Sequence, residues 1–148
     1  LSTLSIPLHN LIIENATISN NKAQTGAGLR TTSSATATIN NCKIVDNIAS
    51  MSGAGLEVFN YSQVTMNGGE ISNNTATSYG GGVWIRGNED ADKSANLILN
   101  GGTIKNNNAG IAHGGIYNGV SGTYTYKSGV VCGNKPSNSY ETSATCPS

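Results

Sequence analysis

Apolar residues recur along the chain in short pairs whose members are separated by one polar residue. Val64 and Met66 form one such pair around Thr65, and Leu56 and Val58 form another around Glu57. Alternation of period two over three to five residues, bounded by Asn and Gly, predicts short β-strands separated by tight bends. No segment has the i, i+3, i+4, i+7 apolar spacing of an amphipathic helix over three turns. The pattern therefore predicts an all-β chain.

These short strands belong to a repeat. In each copy an aliphatic residue stands three positions before an asparagine, and a short run, a Gly-rich element and another aliphatic residue follow. Four copies are complete, and a fifth at 131–134 lacks the glycines. The repeated asparagines are separated by 26, 27, 33 and 27 residues. They are Asn21, Asn47, Asn74, Asn107 and Asn134.

The period selects the type of repeat. About three short strands in each copy predict the rung of a parallel β-helix, whose coils stack about 4.8 Å apart. We therefore expect about five coils of three strands each. Stacking places the asparagines above one another, where their side-chain amides can form a ladder of hydrogen bonds. The glycines permit positive φ and close backbone approach at a corner, after which Val83 and Ile85 point inward and Trp84 outward.

Two columns of apolar residues are expected in the core, one before and one after a bend. Equivalent residues of successive copies should lie directly above one another inside the solenoid. The first column is Ile13, Ile39, Met66, Leu99 and Tyr126, and the second is Ile18, Ile44, Ile71, Ile104 and Val131.

The Gly-Gly-aliphatic element paired with hydrophobic-x-x-Asn resembles the repeats of polymorphic outer membrane proteins and related right-handed β-helix adhesins. The resemblance covers roughly residues 11–134. It implies a right-handed, single-stranded parallel β-helix and a surface-exposed passenger or adhesin. That family usually places Phe where this chain has Ile or Val, and the glycine pair is imperfect in the first two copies.

The chain is expected to form one domain over 1–148. Within it we distinguish a partial N-terminal coil, the repeats, an insertion loop that lengthens one interval, and an irregular C-terminal tail. Their ranges are 1–10, 11–134, 86–95 and 135–148.

Composition narrows the range of functions that the chain can have. Only 11% of the residues are charged and the formal net charge is zero, so the charge pattern of a nucleic-acid-binding protein is absent. No apolar run reaches 18 residues, and we expect no membrane insertion. An uncharged surface rich in hydroxyls and amides suits a secreted or cell-surface protein. The chain begins without Met, which indicates either a removed signal peptide or an excised segment.

Cysteines and sequons also favour export. A disulfide between Cys132 and Cys146 would tie the tail to the last coil and contribute about 3 kcal/mol in the loop-entropy picture. Cys42 aligns with small residues of the other copies and is expected to be a free, buried thiol. Three asparagines precede x-Ser/Thr and are possible glycosylation acceptors: Asn15, Asn60 and Asn73.

Catalysis is a rival interpretation, because parallel β-helices often carry polysaccharide lyases and hydrolases. Such sites need clustered carboxylates, or carboxylates with calcium and a basic residue. Here Asp46 aligns with asparagines, and His9 and His113 occupy distant repeat positions. We predict no catalytic residue, metal or cofactor. The alternative function is a carbohydrate-binding or polysaccharide-degrading protein.

One flank is the candidate contact face. Outward positions after the Gly-rich corners carry aromatic and charged residues, a combination found at contacts with partners or glycans. The same residues could instead pack against the insertion or a neighbouring subunit, and the sequence leaves both interpretations open. They are Arg30, Glu57, Phe59, Trp84, Arg86 and Tyr117.

The two ends of the solenoid predict self-association. Leu4 and Ile6 fit the inward positions of an incomplete first coil, and residues 124–134 supply two strands of the last. Neither end shows a capping helix or a charged edge, so unpaired strand edges are expected at both. The chain is therefore either cut from a longer solenoid or stacked head to tail into a filament. The predicted function is a non-enzymatic extracellular structural or adhesive module, whose partner is a second copy or a cell-surface or glycan ligand.

Overall fold

The computed structural model describes residues 10–88, 94–137, 140–142 and 145–147, and the statements below concern these residues. They contain eighteen β-strands. Coil one comprises β1 (Asn10–Glu14), β2 (Thr17–Ser19), β3 (Lys22–Thr25) and β4 (Leu29–Thr31). Coil two comprises β5 (Thr36–Asn40), β6 (Cys42–Val45), β7 (Ile48–Ser52) and β8 (Leu56–Phe59). Coil three comprises β9 (Gln63–Met66), β10 (Gly69–Ser72), β11 (Thr75–Ala76) and β12 (Val83–Arg86). Coil four comprises β13 (Ala95–Leu99), β14 (Thr103–Lys105), β15 (Asn108–Ala109) and β16 (Ile116–Asn118), and coil five contributes β17 (Gly122–Tyr126) and β18 (Val130–Cys132).

The strands form four parallel sheets along the stack, one for each position in the coil. Sheet A has the order β1-β5-β9-β13-β17 and sheet B the order β2-β6-β10-β14-β18. Sheet C is β3-β7-β11-β15 and sheet D is β4-β8-β12-β16. The predicted all-β parallel solenoid is confirmed. The predicted count is wrong in detail, because there are four complete coils of four strands and a partial fifth.

Sheet C is the element that the sequence did not predict. The run between the repeated asparagine and the glycines was expected to be a bend, yet it forms strands of two to five residues. Ala49, Ala76 and Ala109 lie in register on it and are buried. Their small side chains allow sheet C to approach the glycine-rich corner, where Ala54 joins Ala49 and Ala76 in one apolar cluster.

The two predicted core columns are confirmed in register. Ile18, Ile44, Ile71, Ile104 and Val131 pair in succession across sheet B, and the four from Ile44 onward are buried. In sheet A the middle members Ile39, Met66 and Leu99 are buried. Tyr126 departs most from the predicted burial, since it pairs with Leu99 but is 47% exposed at the edge strand β17, and Ile13 and Ile18 of coil one are half-buried.

The predicted asparagine ladder is present inside the stack. The backbone N–H and Nδ2 of Asn47 both donate to Oδ1 of Asn74, each over 3.0 Å. Asn74 Nδ2 also donates to the carbonyl of Ile44, 2.9 Å away in the preceding coil. The same bonds link Asn21 to Asn47, Asn74 to Asn107, and Asn107 to Asn134. Each coil is thereby joined to the next through its backbone and its amide.

A second ladder runs along the outside of the corner between sheets A and B. Asn100 Nδ2 donates to Asn67 Oδ1, and Asn67 Nδ2 donates to Asn40 Oδ1, each over 2.9 Å. Asn40 Nδ2 then donates to Oε1 of Glu14 at 2.9 Å. In this outer ladder each amide NH₂ donates to the preceding coil, toward coil one. In the inner ladder each amide NH₂ donates to the following coil, toward coil five.

The C-terminal tail returns to the last coil. Cys132 and Cys146 form a disulfide, and the backbone N–H of Thr142 donates to the carbonyl of Val131 at 2.8 Å. The expectation that neither end is covered is therefore wrong at β18. Leu4 and Ile6, to which the predicted end-to-end contact was assigned, lie outside the described residues. Of the predicted insertion loop, Arg86 and Ala95 lie in β12 and β13, and residues 89–93 are not described.

Candidate functional site

Sheet D brings the predicted contact residues onto one face. Arg30 pairs with Glu57, Glu57 with Trp84, and Trp84 with Tyr117, so four successive coils contribute one column. Arg86 pairs with Phe59 in the neighbouring column. The six residues alternate with Val83, Ile85 and other buried aliphatic residues, which fix sheet D to the core and orient the polar and aromatic side chains outward.

Glu57 differs from its predicted environment. It points out of sheet D, but its side chain is completely buried rather than exposed. Arg30 Nε lies 2.9 Å from Glu57 Oε2, and Arg86 Nε lies 3.5 Å from Glu57 Oε1. Two guanidinium groups, from coils one and three, thus enclose one carboxylate from coil two. The ion pairs offset the cost of burying the carboxylate and leave the cluster with one excess positive charge.

Arg86 is held between two aromatic rings. Its Cζ lies 4.1 Å from the centroid of Phe59 and 4.3 Å from that of Trp84. Arg30 approaches the same Phe59 ring at 5.5 Å. Attraction between a guanidinium and an aromatic face contributes about 0.5–1 kcal/mol at exposed sites. These contacts and the bond to Glu57 fix the position of the Arg86 head group on the face.

An aromatic groove opens beside this charged cluster. It has a volume of about 330 Å³. The rings of Tyr79 and Tyr117 stack 4.6 Å apart, and His113 stacks on Tyr117 at 5.4 Å. Trp84 Nε1 is buried and has no hydrogen-bond partner among the described residues. The groove is lined by Tyr79, Trp84, Arg86, Gly87, Asn88, Tyr117, Gly119 and Val120.

Tyr79 and His113 were not predicted to belong to the face. Each stands immediately before a Gly-rich corner, in "SYGGGV" and "AHGGI" respectively. The alternation of period two predicts outward side chains only in the strand that follows the glycines. Residues before the glycines, including Tyr79 and His113, therefore fall in the predicted bend. Alignment of these two segments shows a ring-bearing residue at nearly the same place in two successive coils. This recurrence of a ring before the corner is the sequence pattern that could have predicted Tyr79 and His113 as part of the face.

A second cavity lies over sheet B and has a different character. Its volume is about 470 Å³ and its lining includes Lys43 and Glu70. The Ser72 hydroxyl donates to Glu70, and Lys105 Nζ lies 3.3 Å from Glu70 Oε2. The pKa of Glu70 is lowered first by the Ser72 hydrogen bond and then by Lys105, while burial acts in the opposite direction. The cavity is polar and contains no aromatic ring in its lining.

The remaining predicted positions are scattered over the molecule. Asn15 and Asn73 are exposed and Asn60 is half-buried, and their glycosylation stays a prediction. Cys42 is a free, buried cysteine, as expected. Among the described residues, no group of three or more His, Cys, Asp or Glu side chains is placed to hold a metal ion. No helix in the described ranges has the length and apolarity to cross a membrane.

Comparison with known families adds one finding to this geometry. A family model described as the right-handed β-helix region matches residues 5–135, which include nearly all of the stacked coils. Comparisons with curated proteins and with solved structures gave no match.

Proposed function

The chain belongs to the right-handed β-helix family, and from this premise we propose that it is a non-enzymatic, extracellular adhesive module that binds a carbohydrate on sheet D. The narrower resemblance to polymorphic outer membrane adhesins stays a prediction. The Cys132–Cys146 disulfide supports the extracellular part of the proposal, because disulfides persist in oxidising compartments.

The groove beside Trp84 is the observation that carries the proposal. Sugars present apolar C–H faces that pack on aromatic rings, and hydroxyls that need fixed polar partners. Trp84, Tyr79 and Tyr117 supply the rings, and Arg86 supplies an oriented donor at one side. A group of half-exposed rings beside a charged group is typical of a binding surface.

Polysaccharide degradation is the alternative activity. Hydrolysis would require two carboxyl groups, one of them free to take up or deliver a proton. The carboxylate nearest this face is Glu57, which is engaged by Arg30 and Arg86. This engagement favours binding without turnover. Release of reducing sugar or of unsaturated ends from any polysaccharide by the purified chain would overturn that preference.

A glycan array with the parent chain and Trp84→Ala tests the proposal. We expect the variant to lose at least about tenfold in affinity, equivalent to about 1.4 kcal/mol, while its melting temperature stays near that of the parent. Tyr126→Ala is the matched control, because Tyr126 is an exposed aromatic residue on sheet A, away from the groove. A parent that binds no glycan, or a Trp84→Ala variant that binds like the parent, would refute a glycan site in this groove.

A further inference from the structure

The tail reproduces, at the edge of β18, hydrogen bonds that a further coil would make. The N–H of Thr142 donates to the carbonyl of Val131 at 2.8 Å, and the N–H of Val131 donates to Oγ1 of Thr142 at 2.9 Å. Val131 is the last member of the aliphatic column on sheet B. Thr142 therefore occupies both backbone hydrogen-bonding groups of Val131, the N–H and the carbonyl.

Glu141 replaces the next asparagine of the inner ladder. In every earlier coil the backbone N–H of the ladder asparagine donates to Oδ1 of the following one, as Asn107 does to Asn134 at 3.0 Å. Asn134 is the last asparagine of the ladder among the described residues, and its N–H donates to Oε1 of Glu141 at 3.1 Å. A carboxylate oxygen thus completes the ladder with the distance that an amide oxygen has elsewhere.

Two further contacts hold this segment in place. The disulfide joins Cys146 to Cys132 at the end of β18. Tyr140 packs edge-on against Tyr124 of β17, with ring centroids 4.8 Å apart. The tail therefore rests on both strands of coil five, and it covers backbone groups that would otherwise form an open sheet edge.

We propose that residues 140–142, together with Cys146, are a disulfide-held, autoinhibitory cap, and that its release allows the β18 edge to pair with coil one of a second copy of this chain. The direction of the hydrogen bonds in the inner ladder identifies a second copy of this chain as the partner that would occupy the edge. Asn134 would offer its N–H and Nδ2, and Asn21, the first ladder residue, uses its own donors on Asn47 and so leaves Oδ1 as the acceptor for a preceding coil. Strands β2 and β18 belong to the same sheet, so the junction continues sheet B in parallel.

Release of the cap is a balanced redox step. A dithiol reductant transfers two electrons and two protons to the Cys132–Cys146 bond, which becomes two thiols, while the reductant becomes a disulfide. In the oxidised state the cap occupies the edge and the chain stays monomeric at this end.

Sedimentation velocity of the full chain, oxidised and after reduction by a dithiol, tests the proposal. All samples carry Cys42→Ala, which removes the third cysteine of the chain, so that no other thiol competes with Cys132 and Cys146 on reoxidation. We expect a monomer when oxidised, a weight-average mass that at least doubles with concentration when reduced, and reversal on reoxidation. Asn21→Ala should abolish this association. Association that persists in Asn21→Ala would overturn the assigned junction.

Cap substitutions keep the test independent of reduction. Thr142→Pro removes the N–H that bonds Val131 but leaves the disulfide, and it should promote association in the oxidised state. Ser137→Ala, in the same tail but outside the cap, should behave like the parent. Hydrogen exchange at Val131 and Asn134 reports whether the cap has opened. A reduced chain with exchanging amides that stays monomeric would overturn the proposal, as would a reduced monomer whose amides remain protected.

Discussion

A β-carbon on Gly55 would stand only 2.9 Å from Nδ2 of Asn74 and 2.8 Å from Cγ2 of Ile71. Gly28 faces Asn47 in the same way one coil earlier. The inner ladder and the aliphatic column therefore fill the space beside Gly28 and Gly55, the last glycines of the first two corners. This contact explains why the Gly-rich element and the Ile-x-x-Asn motif recur together. The Ile and Asn side chains fill the space that a side chain at the glycine would otherwise need.

Substitution of Gly55 tests that contact. In Gly55→Ala the added carbon would also meet the carbonyl oxygen of Gly82 at 2.5 Å, and neighbouring backbone cannot withdraw without disturbing the next coil. We expect a loss of about 1–3 kcal/mol in the free energy of unfolding, measured by urea denaturation. Gly68→Ala is the control, because the nearest atom to its new carbon is 3.9 Å away. Equal losses in the two variants would contradict the packing argument.

The two ladders should differ in their contribution to stability. Asn74→Ala leaves the N–H of Asn47 and the carbonyl of Ile44 without their partners inside the stack. Unsatisfied buried groups cost about 1–3 kcal/mol each, so a large fall in melting temperature is expected. Asn67→Ala removes an exposed amide whose partners can turn to water, and it should cost less than about 1 kcal/mol. Coincident melting curves would show that the inner ladder has no special role.

The charged cluster on sheet D makes an asymmetric prediction. Glu57→Ala leaves Arg30 and Arg86 without their shared carboxylate, whereas Arg30→Ala leaves the carboxylate with Arg86. Loss of charged hydrogen bonds of this kind costs about 1.5–3 kcal/mol. Glu57→Ala should therefore destabilise the chain more than Arg30→Ala in chemical denaturation. A greater loss in Arg30→Ala would mean that Arg86 does not compensate Glu57.

Glu70 should make part of the stability depend on pH. Its folded pKa lies below its ordinary value, chiefly because the Ser72 hydroxyl donates to it and because Lys105 is close. The folded state therefore binds fewer protons than the unfolded state between the two pKa values, and the stabilisation is lost as pH falls through the folded pKa. The difference in melting temperature between the parent and Glu70→Gln should be present at pH 7 and disappear in acid. A difference that grows as pH falls below 4.5 would contradict this sign.

The stacking register could be predicted from the sequence because the repeat places like residues above like. Ile71 pairs with Ile44 and Ile104, and the ladder residues follow, as the alignment of copies predicts. Strand content was harder to predict. The runs that form sheet C contain Ala and several polar residues, and their small buried side chains pack against a corner made of Gly and Ala.

Burial on the contact face could not be predicted from alternation. A period of two gives the direction of Glu57, but whether an outward side chain is covered depends on residues from other coils. Arg30 and Arg86 lie 27 and 29 positions away in sequence and cover it from both sides. The disulfide that ties the tail to the last coil was predicted, but the hydrogen bonds of Glu141 and Thr142 to coil five were not, since these two residues act as parts of a coil without having its sequence.

Glu14 fixes the direction in which the hydrogen bonds of the outer ladder run. A primary amide can be reversed, exchanging its donor and acceptor ends, and a row of amides alone has two equivalent arrangements. A carboxylate can only accept, so Asn40 must turn its NH₂ group toward Glu14, and Asn67 and Asn100 must then turn the same way. One ionised group in coil one thereby sets the orientation of three dipoles in three successive coils.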